Sequence, residues 1–227
     1  MAKKVSRKKL LKEPDEFITF TGKLIRLVST YQKQMTIALG IVVAVFLIFS
    51  IFKFYANRME NNAFNLLSQA NDKFNSVLLS KDAVTALKEV EKDFEYILKE
   101  YSRYQGGKIA RVNYANYCYQ AGEYDKASGL YTEALKDFGK NPSYGNIILN
   151  GLGYSYKAKK DYETSAKYFE MIASSNTPML KDEALFNLSK LYVILGKDNK
   201  RTETLKTIVS DYPESIYIEL AKDQLSG

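Results

Sequence analysis

The sequence predicts an all-α protein in which one apolar N-terminal helix precedes an α-solenoid of stacked helical hairpins. Three observations carry that expectation. An uncharged run of 19 residues, Gln34 to Phe52, stands between Lys33 and Lys53. Beyond it, apolar residues recur three and four apart almost to the end of the chain, the spacing that lines one face of a helix. A pattern of aromatic, small and turn-forming residues then recurs in three frames, starting at Lys108, Asn146 and Asp182.

The middle frame is the clearest. It reads Leu149, Leu152-Gly153 and Tyr156, continues to Tyr162, Ser165 and Phe169, and closes at Pro178. Leu149, Leu152 and Tyr156 share one helical face; Gly153 admits a second, antiparallel helix whose inner seam is Ser165 with Phe169. This resembles the tetratricopeptide repeat, a unit of about 34 residues with the pattern W-x2-L-G-x2-Y…A-x3-F…P. Leu149 stands for the tryptophan and Ser165 for the alanine. The frame before it places Tyr114, Ala115, Cys118, Gly122, Tyr124, Ala127, Tyr131 and Ala134 in register. The frame after it places Leu185, Leu188, Ser189, Tyr192, Gly196, Leu205, Ile208 and Pro213, with Arg201 at the small-residue position. There the second helix is expected to pack less closely or shift by one residue. One hairpin cannot bury its apolar face alone, so the copies imply a stack, a tetratricopeptide-repeat solenoid.

Charge is unevenly spread. Of the net +7, residues 1–35 carry nine Lys/Arg against three acids, a surplus of six, and the rest a surplus of one. The repeats therefore lack the basic face that phosphate binding requires. Twelve of the 19 residues in Gln34–Phe52 are Ile, Leu, Val or Phe, worth about −4 to −7 kcal/mol on insertion. A bilayer core takes about 20 helical residues, so this run reads as a transmembrane helix, with Tyr31, Phe54 and Tyr55 near the interfaces. It exceeds a signal-peptide core, and no small-residue cleavage site or cysteine follows it. The expected feature is an uncleaved signal anchor. Nine cations precede it and only Lys53, Arg58 and Lys73 follow closely, which places the N-terminus in the cytoplasm and the repeats outside it. Before the span, Pro14-Asp15-Glu16 reads as a helix start. Phe17, Phe20, Leu24, Leu27 and Tyr31 follow at helical spacing, with Lys23 and Arg26 among them, as in an amphipathic interfacial helix.

From Ala56 to about Leu79 neither proline nor glycine interrupts a helical stripe of Ala63, Leu66, Leu67, Ala70, Phe74, Val77 and Leu78. Ser80-Lys81-Asp82 reads as break and cap. Ala83, Leu87, Val90, Phe94, Ile97, Leu98 and Tyr101 then form the stripe of a second helix, a degenerate first hairpin. Gly106-Gly107 reads as the turn ending it; Gly107-Lys108 lacks the remainder of a phosphate-binding loop. Asp211-Tyr212-Pro213-Glu214-Ser215 breaks the chain again, and Ile216, Ile218, Leu220, Ala221 and Leu225 read as a closing helix. The expected organisation is a cytoplasmic basic arm at 1–33, the transmembrane anchor at 34–55, a stalk and first hairpin at 56–104, and repeats with a capping helix at 105–227.

Histidine is absent and Cys118 is the single cysteine. This removes Ser-His-Asp and Cys-His catalysis, HExxH, an internal disulfide and a Cys/His zinc site. Cys118 falls at a core position and reads as a small buried hydrophobe. Glu89, Glu91, Asp93 and Glu95 read as a solvated face among lysines. No enzyme activity, cofactor or metal is expected. The functional surface is instead the groove lined by the first helix of each hairpin, at positions 2, 5, 9 and 12 of each frame. These are Ile109, Val112, Asn116 and Tyr119; Ile147, Asn150, Tyr154 and Lys157; then Glu183, Phe186, Lys190 and Val193. The candidates for binding are Val112, Asn116, Tyr119, Asn150, Tyr154, Lys157, Phe186 and Lys190, a mixture of ring, aliphatic and amide surface suited to an extended polypeptide. Some tetratricopeptide proteins hold a C-terminal carboxylate with lysine at position 5 and asparagine at position 9. Asn116 matches, but no frame has lysine at position 5.

Architecture and local sequence together resemble the YfgM-like ancillary subunits of the SecYEG translocon. The matching parts are Lys33–Tyr55 as anchor, Gly107–Leu135 with its turn Gln120-Ala121-Gly122-Glu123-Tyr124-Asp125-Lys126-Ala127, and Thr177–Ala184. The Pro14–Tyr31 segment is longer than that family leads one to expect. The ending Asp211–Ser215 is similar to repeat proteins of outer-membrane assembly and cell-division coordination. The first resemblance implies a chaperone-like protein of the bacterial inner membrane, its repeats in the periplasm. Its implied partners are a SecYEG-type translocon, a PpiD-type prolyl isomerase and exported polypeptides. The second implies a scaffold that binds a folded partner.

Overall fold

A computed structural model describes residues 16–226, with side chains from residue 20 onward. Among these residues the secondary structure is ten α-helices and no strand. The chain divides into two compact units, Met1–Asn57 and Arg58–Gly227.

The first unit holds α1 (Glu16–Thr30) and the beginning of α2 (Gln32–Leu78). Pro14 and Asp15, the expected helix start, lie outside the described residues, as does the side chain of Phe17. Within α2 the most apolar window has a mean hydropathy of 2.8 and none of it is buried. By length and composition this helix can cross a membrane.

The second unit is a run of antiparallel helices, each packed on the next. It begins with the end of α2 and continues through α3 (Ala83–Tyr101), α4 (Gln105–Gln120), α5 (Tyr124–Phe138), α6 (Pro142–Ala158), α7 (Tyr162–Ala173), α8 (Lys181–Ile194), α9 (Asp198–Asp211) and α10 (Ile218–Ser226). The stripes read from the sequence form one core cluster running from α2 into α8 and a second, smaller one under α8, α9 and α10. Ala63, Leu67, Ala70 and Phe74 of α2 are buried with Leu87, Val90, Phe94, Ile97 and Tyr101 of α3. Asp82 caps α3 by accepting from Thr85 N at 2.8 Å. In the middle hairpin the Gly153 position is filled from across: a Cβ there would sit 2.7 Å from the Phe169 ring. Ser165 donates to Gly153 O at 2.7 Å, which gives the hydroxyl in the alanine position a buried partner.

The turns inside the three frames share one form. Gly122, Lys160 and Gly196, at the same frame position, all adopt positive φ, at 83°, 63° and 65°. Each is followed by an N–H that reaches back five residues in the manner of a Schellman cap. These bonds are Glu123 to Cys118 O (2.8 Å), Asp161 to Tyr156 O (2.9 Å) and Lys197 to Tyr192 O (2.8 Å). Lys160 adopts this left-handed backbone with a side chain attached, a conformation that costs a non-glycine residue about 1–2 kcal/mol.

Four sequence expectations are corrected. Gly106 and Gly107 do not form the turn; they lie in the first turn of α4. Their purpose is close approach, since a Cβ on Gly106 would meet Ala63 Cβ at 2.7 Å and the Phe64 backbone N at 2.8 Å, and one on Gly107 would strike Tyr101 O. The start of α4 is capped from far along the chain: Glu60 accepts from Gln105 N (3.1 Å) and Gly106 N (2.8 Å). Glu91 is not simply part of a solvated face, because it accepts from both Lys126 and Tyr114. Arg201 is accommodated by the chain end, donating to Gln224 O at 2.9 Å, while Leu205 and Ile208 keep their buried places. Ile216 precedes the last helix and is 83% exposed; Ala221 is the residue α10 buries, against the Leu185–Phe186–Leu205–Ile208 cluster.

Candidate functional site

The face under consideration is built by the first helices α4, α6 and α8. Side-chain contacts link them in order. Tyr119 of α4 lies 6.5 Å, ring to ring, from Tyr154 of α6 and 5.5 Å from Tyr124. Tyr154 packs edge-on against Phe169 at 5.5 Å, so its ring is anchored below while its hydroxyl reaches sideways to α8. That hydroxyl donates to Glu183 Oε1 at 2.7 Å and accepts from Asn187 Nδ2 at 2.9 Å. Asn150 Nδ2 also donates to Glu183 Oε1, at 3.3 Å. Lys157 Nζ donates to Asn187 Oδ1 at 3.1 Å, and Asn187 Nδ2 bonds Glu183 O at 3.0 Å.

Three of the eight candidates, Asn150, Tyr154 and Lys157, thus meet α8 at Glu183 and Asn187, and Lys190 is near enough for its charge to act on Lys157. Lys190 is exposed, with its ammonium 4.3 Å from the centre of the Phe186 ring. Asn116 is engaged elsewhere, accepting from the Tyr131 hydroxyl beneath the face. Val112, on α4 itself, is half-buried and packed against the core. Phe186 departs from its expected role. It is only 6% exposed and is covered by the Tyr217 ring, stacked at 4.5 Å, because the segment entering α10 folds over it. The contact surface left open is therefore Tyr119, Tyr154, Lys157 and Lys190, with exposed Ile147 and Val193 at the margins.

The electrostatics follow from burial. The Tyr154 hydroxyl is pushed well above the ordinary phenol value, first by burial and then by its bond to Glu183. Lys157 is held below the ordinary lysine value, first by burial and then by the charge of Lys190. No carboxylate pairs with either lysine among the described residues. Asn150 Oδ1 is buried without a partner. The face therefore has an acid–tyrosine–amide centre at Glu183 and an uncompensated cationic edge at Lys157 and Lys190. The Cys118 thiol, deep in the core, is pushed up to about 12 by burial, which makes it unreactive. Among the described residues no three His, Cys, Asp or Glu side chains gather as metal ligands.

Sequence reading missed Asn187, the hub of the network. It is only 5% exposed, and the available signal was its place four residues after Glu183 on the same helical face. A related pattern one hairpin earlier was missed as well. Asn113 and Tyr117 of α4 both donate to Asn71 Oδ1 of α2, at 3.2 and 3.0 Å. Asn150 and Tyr154 donate to Glu183 in the same way, so an Asn-x3-Tyr pair on the first helix binds one acceptor on a neighbouring first helix in both places.

Comparison with known proteins agrees on architecture. No family profile matches the sequence, and no curated protein does. Among solved structures, a tetratricopeptide repeat protein of Parabacteroides merdae is similar over 73% of this chain and 59% of its own length, with 17% identity and a TM-score of 0.60. BtubC of P. vanneervenii aligns over 71% of this chain and 72% of its own, with 14% identity and a TM-score of 0.49. PilF of Pseudomonas aeruginosa aligns over 74% and 99%, at 13% identity and 0.28. The first of these shows that the fold is a tetratricopeptide-type α-solenoid; the chain spans a little under three-fifths of that neighbour.

Proposed function

We propose that the chain is a membrane-anchored protein–protein interaction module of a bacterial inner membrane. In this reading residues 34–55 cross the bilayer, the N-terminus is cytoplasmic and the repeats are periplasmic. The module is a chaperone-like accessory of the Sec translocon, meeting exported polypeptides beside a SecYEG-type channel and a PpiD-type prolyl isomerase. The observation that carries it is the combination, in one chain, of an unburied apolar helix preceded by nine cations and a first-helix face left open at Tyr119, Tyr154, Lys157 and Lys190. Tethering beside a channel raises the local concentration of emerging chain, so weak, sequence-tolerant contacts at Tyr119 and Tyr154 are sufficient.

The test is site-specific crosslinking from Tyr119 and Tyr154 in the full-length protein in cells. A ladder of secretory chains is the expected product. A reporter that works only outside the cytoplasm, fused after Gly227, is expected to be active; activity of the same reporter at the N-terminus instead would reverse the topology. A second reading has its own support. The polar groups of the α6–α8 joint are already bound to one another, and a preset network favours one partner geometry over many. This suits a scaffold for envelope assembly or division that holds a folded protein, and a single discrete crosslinked band would select it.

A further inference from the structure

The proposed function leaves α1 without a role. Its sequence divides cleanly by the helical period. Phe20, Leu24, Ile25, Leu27 and Val28 fall on one half of the circumference, whereas Gly22, Lys23, Arg26 and Ser29 fall on the other; all nine are exposed. No glycine or proline separates α1 from α2, yet the helix breaks between them at Tyr31. There the backbone bends, although Tyr31 N bonds Leu27 O at 3.0 Å and Met35 N bonds Tyr31 O at 2.8 Å. This bend makes a corner that shortly precedes the apolar run Gln34–Phe52.

We propose that α1 lies in the headgroup region of an anionic bilayer leaflet. Its apolar half faces the acyl chains, Lys23 and Arg26 face the headgroups, and the bend at Tyr31 is the corner between surface helix and span. The inference rests on the reading that Gln34–Phe52 crosses the membrane. The features of α1 favour a lipid surface over the other occupants of such a face. Fifteen residues rise about 22 Å, short of the roughly 30 Å hydrocarbon core, so α1 is not a second span. Its apolar surface covers half the circumference, wider than the seam of about two residues in seven that a partner helix needs. A broad apolar face opposite Lys/Arg is the composition of a helix lying in the interface. The basic surplus of residues 1–35 matches the negative surface potential of an anionic leaflet.

The chain contains no tryptophan, so single substitutions report without background. Full-length Leu24→Trp, Lys23→Trp and Phe46→Trp are reconstituted in phosphatidylcholine vesicles with and without phosphatidylglycerol. They are probed with lipids brominated at shallow or deep positions and with aqueous iodide. L24W is expected to be quenched more by shallow than by deep bromines and shielded from iodide, with K23W open to iodide. Phosphatidylglycerol should increase the shielding of L24W, and the added substitutions Lys23→Gln and Arg26→Gln should abolish that increase. Iodide quenching of L24W equal to that of K23W would overturn the proposal. So would stronger quenching by deep bromines, or shielding that disappears on dilution into excess lipid, which would indicate a second copy as the cover. F46W reports separately on the span: if deep bromines fail to quench it, the anchor reading falls whatever L24W does.

Discussion

Helix α2 is apolar in two ways along its length. From Gln34 to Phe52 the apolar side chains point in every direction and are exposed; from Arg58 onward they narrow to a stripe, and Ala63, Leu67, Ala70 and Phe74 of that stripe are buried against α3 and α4. Backbone geometry is the same in both stretches. What differs is the arrangement of apolar residues around the helix, and that arrangement identifies the medium each stretch requires. A face can be covered by two neighbouring helices, but an entire circumference must be covered on every side, by a bilayer or by the core of a larger protein. The lesson is that mean hydropathy locates the first stretch while only periodicity locates the second.

The sharpest way to break the contrast is to charge the first stretch. Val43→Arg with Phe46→Arg adds about 2.5–3.5 kcal/mol per substitution near the centre of a span, against the about −4 to −7 kcal/mol gained from its apolar residues. The doubly substituted chain is expected to leave the carbonate-resistant membrane fraction while its repeats keep their thermal transition. Phe74→Ala tests the second stretch in the opposite sense. Phe74 is fully buried and stacked on Tyr117 at 3.7 Å, so urea unfolding should register a loss of about 3–5 kcal/mol with membrane retention unchanged. Gly106→Ala, which forces a Cβ into the α2 backbone, is expected to cost about 1–3 kcal/mol in the same assay. Lys160→Gly, remote from α2, should instead stabilise by about 1 kcal/mol by relieving the left-handed backbone.

The smallest effect concerns Glu91, on the helix that covers the α2 stripe. Its carboxyl is held below the ordinary value of 4.5 by the hydrogen bond and charge of Lys126. Its contribution is therefore present above that value and lost as pH falls through the folded one. On Lys126, burial pulls the ammonium down, but its bonds to Glu91 and Tyr114 outweigh that and raise it, so its share persists until pH rises past the ordinary lysine value. Both groups are partly solvated, and the pair is worth less than about 1 kcal/mol. Glu91→Gln should lower thermal stability at neutral pH by no more than about 1 kcal/mol, and the difference from the parent chain should close as pH falls below the ordinary carboxyl value.

Much of the fold was legible because repeats state the same requirement three times. The frame position of Gly122 recurs at Lys160 and Gly196, and all three turns take one conformation even where glycine is missing. What escaped was decided by pairs distant in sequence. Glu60 caps a helix 45 residues later, and nothing local to Gly106-Gly107 distinguishes a turn from a helix start receiving such a cap. The candidate face was legible as positions and not as contacts. Positions 5, 9 and 12 led to Asn150, Tyr154 and Lys157, but the burial of Phe186 depends on a segment some 30 residues downstream (Tyr217). Asn187 escaped because a buried asparagine is defined by what surrounds it.

The uniform turns have a consequence for how this chain tolerates change in length. Within a hairpin the linker is a standard fitting, identical in backbone form and closed by the same long-reach bond, so one extra residue at Gly122 or Gly196 would throw the following helix out of phase. Between hairpins the joints are bespoke: Gly139-Lys140-Asn141 is short, whereas Ser174–Leu180 is longer and pinned by Asn146, which donates to Ser175 Oγ at 2.9 Å and Met179 O at 2.8 Å. An epitope spliced in after Lys140 should be carried silently, and the same peptide placed after Gly122 should not.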